Sequence, residues 1–220
     1  MKKDMRSKQK YPRSSGVLLP LPMLHGPFGI GVMGTEAMEF IDFLSRSGFS
    51  AWQMLPIEHT GEAFSPFYCV SAFAGEPNLI DPRILLEMGL VTREELRERA
   101  EGTKEDFVDY ELITVKQQKL LKSAFSRLKD KPYSDFKPFW LDNYALYMAL
   151  KKHFEDKPWY QWPDIDLRGR DEAALKRAAA EFLSEIEYNT FVQWLFDKQW
   201  RILKKYAAGR GISIIGDMPF

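Results

Sequence analysis

Cysteine is almost missing from this chain: Cys69 is the only one, which excludes an internal disulfide framework and a cysteine-based metal cluster. Histidine is nearly as scarce. His25, His59 and His153 lie far apart, and three scattered imidazoles make a poor zinc site. Neither charge is in excess, since Lys+Arg and Asp+Glu number 31 each. No net field therefore recruits nucleic acid or an anionic membrane. Nowhere does an apolar run reach bilayer length. The basic opening MKKDMRSKQKYPR is not followed by the apolar stretch of a secretory signal. A soluble, cytoplasmic protein is the expectation, without nucleic-acid or membrane partners. What the 220 residues do contain is core material, 45% hydrophobic and 14% aromatic.

One motif demands a decision. Gly29-Ile30-Gly31-Val32-Met33-Gly34 spells G-x-G-x-x-G, the dinucleotide fingerprint. In a Rossmann turn the glycines follow the strand directly, so that a pyrophosphate can sit on the helix N-terminus. Here Pro22 and Pro27 interrupt the approach, and the third strand-like run comes only at Ile212–Ile215. The spacing argues against a nucleotide-binding oxidoreductase. The glycines are expected to shape a wide loop over the strand ends.

Residues 13–22 read as a short buried strand, Val17–Leu19, running into a proline-stiffened loop. Thr35 is placed to cap a helix from Glu36 to Ser47, with Ala37, Phe40, Ile41 and Leu44 on one face and Gly48 as the stop. Ala51–Leu55 reads as a second strand, closed by Pro56. A long aromatic and Gly/Pro-rich loop follows, too apolar for disorder and too irregular for a regular element. Helices are expected over Arg83–Met88, Thr92–Arg99, Tyr110–Lys129, Leu141–Phe154, Glu172–Glu185 and Asn189–Ala208. The fifth carries a stripe at Leu175, Ala179, Phe182, Leu183 and Ile186. Ile212–Ile215 reads as a third buried strand of a parallel sheet. Because nothing follows to cover it, the chain is expected to be truncated at Phe220.

The order strand, loop, helix, strand, long loop, helical insertion, strand suggests the beginning of a (β/α)8 barrel, whose functional loops sit at the strands' C-terminal ends. Three blocks sharpen this: RSSGVLLPLPMLHGPFGIGVMGTEAMEFIDFLSRSGFSAWQMLPI, TGEAFSPFYCVSAFAGEPNLID and FDKQWRILKKYAAGRGISIIGDMPF. Together they resemble amylomaltase, the bacterial 4-α-glucanotransferase, and the related plant disproportionating enzymes. The resemblance implies an α/β fold of the TIM-barrel glycoside hydrolase type, here the first three strands plus a largely helical insertion. Residues 1–65 would start the catalytic barrel, 66–208 would form the loop and insertion, and 209–220 would supply the third strand.

The family implied moves α-1,4-glucan segments between maltooligosaccharides with neither metal nor cofactor. Its retaining chemistry uses two carboxyl groups about 5–5.5 Å apart. Those carboxylates follow later barrel strands in the family, so no catalytic residue carries over to this chain. Substrate-binding positions do. Ser65-Pro66-Phe67-Tyr68 resembles the family's S-P-Y-Q loop, with Phe67 keeping an aromatic face for sugar stacking and Tyr68 replacing the glutamine. Asp217, in the GDMP block, falls directly after the third strand, where a barrel presents site residues; a contact to sugar hydroxyls and a structural role capping the next loop are both open for it.

Other residues draw weaker readings. Glu58 and His59 follow the second strand, and His25 the first; a lone loop histidine is expected to be solvated or satisfied by backbone. Trp52 is expected in the core. Trp159, Tyr160 and Trp162 are expected to pack onto the domain rather than to present a sugar-stacking surface. The run Lys116 to Lys122 reads as a solvated helix face. The function expected is therefore glucan transfer with the catalytic carboxylates missing from these 220 residues; the alternative is a non-catalytic glucan-binding remnant. Oligomeric state is left open.

Overall fold

Trp52 organises the sheet. In a computed structural model, which describes residues 13–61, 63–104 and 106–219, it lies at the centre of three short parallel strands. These are β1 (Gly16–Leu18), β2 (Ala51–Gln53) and β3 (Ser213–Ile215), in the order β1-β2-β3. The basic N-terminal residues 1–12, Glu62, Glu105 and Phe220 lie outside the described residues. Val17, Trp52 and Ile214 align across the sheet. Side chains alternate along a strand, so this row faces the helices. Trp52 is completely buried there, its Nε1 donating to the Leu19 carbonyl at 2.8 Å.

The opposite face is bare. Leu18 is 56% exposed and Ile215 47% exposed, with Gln53 exposed between them. The expectation of buried first and third strands is thus corrected. Each is an edge strand of a sheet covered on one side only, so alternate residues point away from the helices.

The helices are α1 (Thr35–Arg46), α2 (Arg83–Glu87), α3 (Arg93–Ala100), α4 (Tyr110–Ser126), α5 (Leu141–His153), α6 (Ile165–Arg168), α7 (Glu172–Glu181) and α8 (Leu183–Gly209). On α1, Ala37, Ile41 and Leu44 are buried and Phe40 meets Trp52 edge-on at 5.0 Å. Gly48, with φ +77°, ends the helix as expected. Its start differs. Gly34, not Thr35, is the N-cap. A Cβ at Gly34 would sit 1.7 Å from Asp81 Oδ2, so only glycine lets α1 begin against that carboxylate. Arg83 donates to both Asp81 oxygens at 2.9 Å and to Glu36 in the first turn of α1 at 3.0 Å. Two carboxylates already occupy the end of α1 where a pyrophosphate would bind. The glycine motif is a packing device.

Two helical expectations change. The fifth and sixth helices divide at Phe182 instead of between Glu185 and Asn189. Asn189 does not break α8, because its Nδ2 donates back to the Glu185 carbonyl at 2.8 Å. Phe182 packs with Leu150, Trp162 and Ala178, and its ring lies 4.7 Å from that of His153. The buried stripe of α7 is Ala174 and Ala178, while Leu183 is exposed.

The aromatic loop also splits. Trp162 is buried against Phe154 with its Nε1 on the Lys157 carbonyl, as expected, but Trp159 and Tyr160 are exposed on a short 3-10 turn. The lysine run is not purely solvated either. Lys116 Nζ donates to the Glu98 carbonyl at 2.7 Å and also to that of Glu101, tying α4 to the end of α3.

Candidate functional site

Parallel strands direct their following loops to one end of the sheet, so the segments after β1, β2 and β3 meet. The β2 segment is better ordered than its composition suggests. Residues 57–61 run extended with partners on both sides. His59 N–H donates to the Ala74 carbonyl at 2.7 Å and Glu76 N–H to that of Ile57 at 2.9 Å; across the segment, Val70 N–H donates to the His59 carbonyl at 2.9 Å and Gly61 N–H to that of Tyr68 at 2.9 Å.

Three buried glutamines hold the return strand of this ribbon. Gln193 accepts from Gly75 N–H at 2.8 Å and donates to its carbonyl at 2.9 Å. Six residues later on α8, Gln199 repeats the pattern on Asp81, at 2.8 and 3.2 Å. From α4, Gln117 donates to the Pro77 and Ile80 carbonyls and accepts from buried Arg99 at 2.7 Å. An amide side chain can satisfy a donor and an acceptor of one buried peptide strand at once. Contact is close: a Cβ at Gly75 would lie 2.2 Å from the Phe196 ring. Sequence reasoning missed these residues. The signal available was a glutamine amid the apolar positions of a helix, such as Gln117 among Ile113, Leu120 and Leu121.

His59 departs from its expected environment. Its partner is a side chain, the Tyr144 hydroxyl on α5 at 2.7 Å from Nδ1, and Gln193 Nε2 donates to the same hydroxyl at 3.3 Å. Burial pushes the His59 imidazole below its ordinary pKa, which outweighs the pull of Glu76. Neutral His59 shares a hydrogen bond with the Tyr144 hydroxyl and so pins the β2 segment to the insertion. Glu76 adds a second tie, accepting from Thr60 N–H at 2.9 Å and Thr60 Oγ1 at 2.8 Å.

Ser65, Phe67 and Tyr68 sit together on the outward turn of the ribbon. Ser65 Oγ accepts from Phe67 N–H at 3.4 Å, and its carbonyl from Tyr68 N–H at 3.1 Å. Phe64 anchors the turn, stacked on Tyr110 at 5.3 Å. Tyr68 is exposed and Phe67 half-buried. Asp217 is exposed after β3, its Oδ1 accepting from Met218 N–H at 2.8 Å. Between the loops lies a cavity of about 140 Å³ lined by Pro22, Met23, Glu58, Thr60, Phe64 and Pro66, among others. Ser65, Phe67 and Tyr68 flank it without lining it.

Glu58 is the residue the sequence marked only weakly and the structure makes central. Its Oε2 is buried with no hydrogen-bond partner. Burial pushes the Glu58 carboxyl above its usual range, and the nearby Asp217 carboxylate pushes the same way. The folded state therefore binds a proton more tightly than the unfolded chain, and stability falls as pH rises from 4.5 through the raised folded value. Glu58→Gln should flatten that decline, seen as a smaller loss of melting temperature between pH 4.5 and 7; an unchanged slope would contradict the assignment. No group of three or more His, Cys, Asp or Glu suited to a metal ion occurs among the described residues.

Residues 19–220 match the profile of the family described as 4-alpha-glucanotransferase. The chain belongs to that family. It is 42% identical over 218 residues to the 4-alpha-glucanotransferase of Thermus thermophilus, covering 94% of this chain and 42% of that protein. The Aquifex aeolicus 4-alpha-glucanotransferase is 41% identical, with 94% of this chain and 43% of the relative covered. Among solved structures, the amylomaltase from Streptococcus agalactiae in complex with acarbose superposes with a TM-score of 0.90 at 36% identity. That match covers 95% of this chain and 44% of the other. The chain thus spans about two-fifths of the length of these curated 4-alpha-glucanotransferases. Its fold is that of the first three strands of a TIM barrel of the family, with a helical insertion between the second and third.

Proposed function

We propose that this chain forms the front of a 4-α-glucanotransferase barrel, in which the loops after β1, β2 and β3 grip a segment of an α-1,4-glucan or maltooligosaccharide. The observation that carries the reading is the superposition of this three-strand frame on an amylomaltase over 95% of the chain. Residues 1–65 begin the barrel, 66–208 form the loop and insertion, and 209–220 bring in the third strand. Phe67 offers a ring face to the C–H face of a glucosyl unit, while Ser65 and Tyr68 offer hydroxyls to its edge. Asp217 accepts hydrogen bonds from sugar hydroxyls, and its charge makes each stronger than a neutral one.

The nucleophile and acid/base of a retaining transfer belong to the part of the family fold that this chain does not span. Under this reading the 220 residues bind glucan and do not turn it over. No helix among the described residues is long and apolar enough to cross a membrane.

Calorimetry on the turn tests the assignment. Phe67→Ala should weaken maltotetraose binding by about tenfold, the equivalent of about 1.4 kcal/mol of lost stacking. Phe67→Tyr should retain wild-type affinity or better. Equal affinity for all three proteins would remove the turn from the binding site.

A further inference from the structure

Four elements meet at one hydroxyl. Tyr144 Oη, on α5, lies 2.7 Å from His59 Nδ1 on the outgoing strand of the ribbon that follows β2. It also accepts a hydrogen bond from Gln193 Nε2, on α8, at 3.3 Å. The same Gln193 amide clasps both backbone groups of Gly75 on the return strand. Tyr144 and Gln193 are buried. His59 is held by its backbone too, its N–H on the Ala74 carbonyl and its own carbonyl on Val70 N–H. The imidazole is thus a knot between the ribbon and two helices of the insertion.

Counting donors and acceptors gives the effect of a proton there. A phenol has one hydrogen and two lone pairs, and Gln193 takes one of the pairs. A neutral ring can leave Nδ1 bare, which gives the hydroxyl hydrogen an acceptor. An imidazolium carries hydrogen on both nitrogens, so Nδ1 must donate and that acceptor is lost. A charge is also placed out of water. The surrounding groups do not compensate. Glu76, on the return strand, favours the cation, but its oxygens already accept from Asn78 N–H, Thr60 N–H and Thr60 Oγ1. Lys151, on α5, opposes it. From α8 come the uncharged Gln193 and, near Tyr144, Tyr188; burial pushes both phenols up, so they remain neutral. Glu58, adjacent in the chain, pulls the other way, since its carboxyl holds a proton more tightly in the fold.

We propose that His59, Tyr144 and Gln193 form an acid-sensitive latch, in which protonation of the imidazole frees the ribbon from α5 and α8 and with it the turn at Ser65–Tyr68. The consequence for glucan rests on the binding reading above; the latch itself does not. In a released ribbon His59 returns to its ordinary 6.5, whereas in the closed one it lies lower. The open form therefore binds more protons. Opening is independent of this group well above pH 6.5, and grows about tenfold per pH unit below it until the lowered value is reached.

Amide hydrogen exchange of the full chain tests this, with His59→Asn as the variant that cannot be charged. The probes are the Val70, Gly75 and Glu76 amides, which the closed ribbon protects, after correction for the chemical exchange rate. From about pH 7 to about pH 5.5 the wild type should lose about tenfold in protection relative to His59→Asn. The ratio cancels the contribution of Glu58, which both proteins share, and amides of α1 should show no difference. Equal changes in the two proteins overturn the latch. Proton NMR of the His59 ring in the wild type needs no variant: titration below 6.5 supports the latch, and titration at 6.5 or above overturns it. Maltotetraose at about ten times its dissociation constant should then restore about tenfold protection at the lower pH, because it binds the closed turn. Loss of protection in acid that maltotetraose does not restore would overturn the coupling to glucan and leave the latch standing.

Discussion

Trp52→Ala lowers the free energy of unfolding by about 4 kcal/mol, near the upper part of the range for removing a buried aromatic side chain. Three features set that size. The indole is completely buried on the only helix-covered face of the sheet. It is bracketed in register by Val17 and Ile214, so neither edge strand can move inward to fill the gap without breaking its pairing to β2. Its Nε1 also satisfies the Leu19 carbonyl at 2.8 Å, at the start of the β1 loop. Truncation therefore leaves both a cavity and a loosened loop. Trp52→Phe keeps most of the volume and loses the hydrogen bond, and should cost about 1–2 kcal/mol. Urea denaturation of the three proteins measures both differences. A loss below about 1 kcal/mol for Trp52→Ala would mean that the sheet does not depend on this contact.

Gln193→Leu costs about 3 kcal/mol, and Gln199→Leu about as much. Leucine is close in size, so the loss is not one of volume. Each substitution strands a donor and an acceptor of a buried peptide segment, Gly75 in the first case and Asp81 in the second, and an orphaned buried group costs about 1–3 kcal/mol. The double variant should lose less than the sum. Both amides hold one ribbon from one helix, and freeing either end lets water reach the other. Sugar affinity should fall with stability, because the Gly75–Asp81 segment backs the 57–61 strand and, through it, the Ser65–Tyr68 turn. Stability that is additive, with sugar binding unaffected, would separate the ribbon from the site.

The strands and most helices were legible because they rest on local rules. Apolar spacing located α1 and Gly48 marked its end. Trp52 in a strand-like run read correctly as core. Failures came where a distant residue decided the outcome. Thr35 is a reasonable cap by type, yet the close approach of Asp81, 47 residues from Gly34, requires glycine there. The apolar strands at either end of the sheet read as buried, but burial depends on what covers each face. Composition marks the long loop as irregular, whereas its order comes from backbone bonds within the ribbon and from side chains on α4, α5 and α8, pairings no local pattern announces. Glu58 shows the same limit. It is one carboxylate among many by sequence, and its unpartnered oxygen and its place in the cavity wall arise only from the fold.

We propose that these 220 residues hold the glucan-gripping loops of a 4-α-glucanotransferase while its reacting carboxylates lie elsewhere in the family fold. The most direct test is calorimetric titration of maltotetraose into the chain, with chromatography of the same sample after prolonged incubation. Saturable heat with intact maltotetraose is the predicted result. Absence of saturable heat would contradict binding by these loops. Appearance of glucose and longer oligomers would contradict the placement of the carboxylates, and would locate transfer chemistry within this chain.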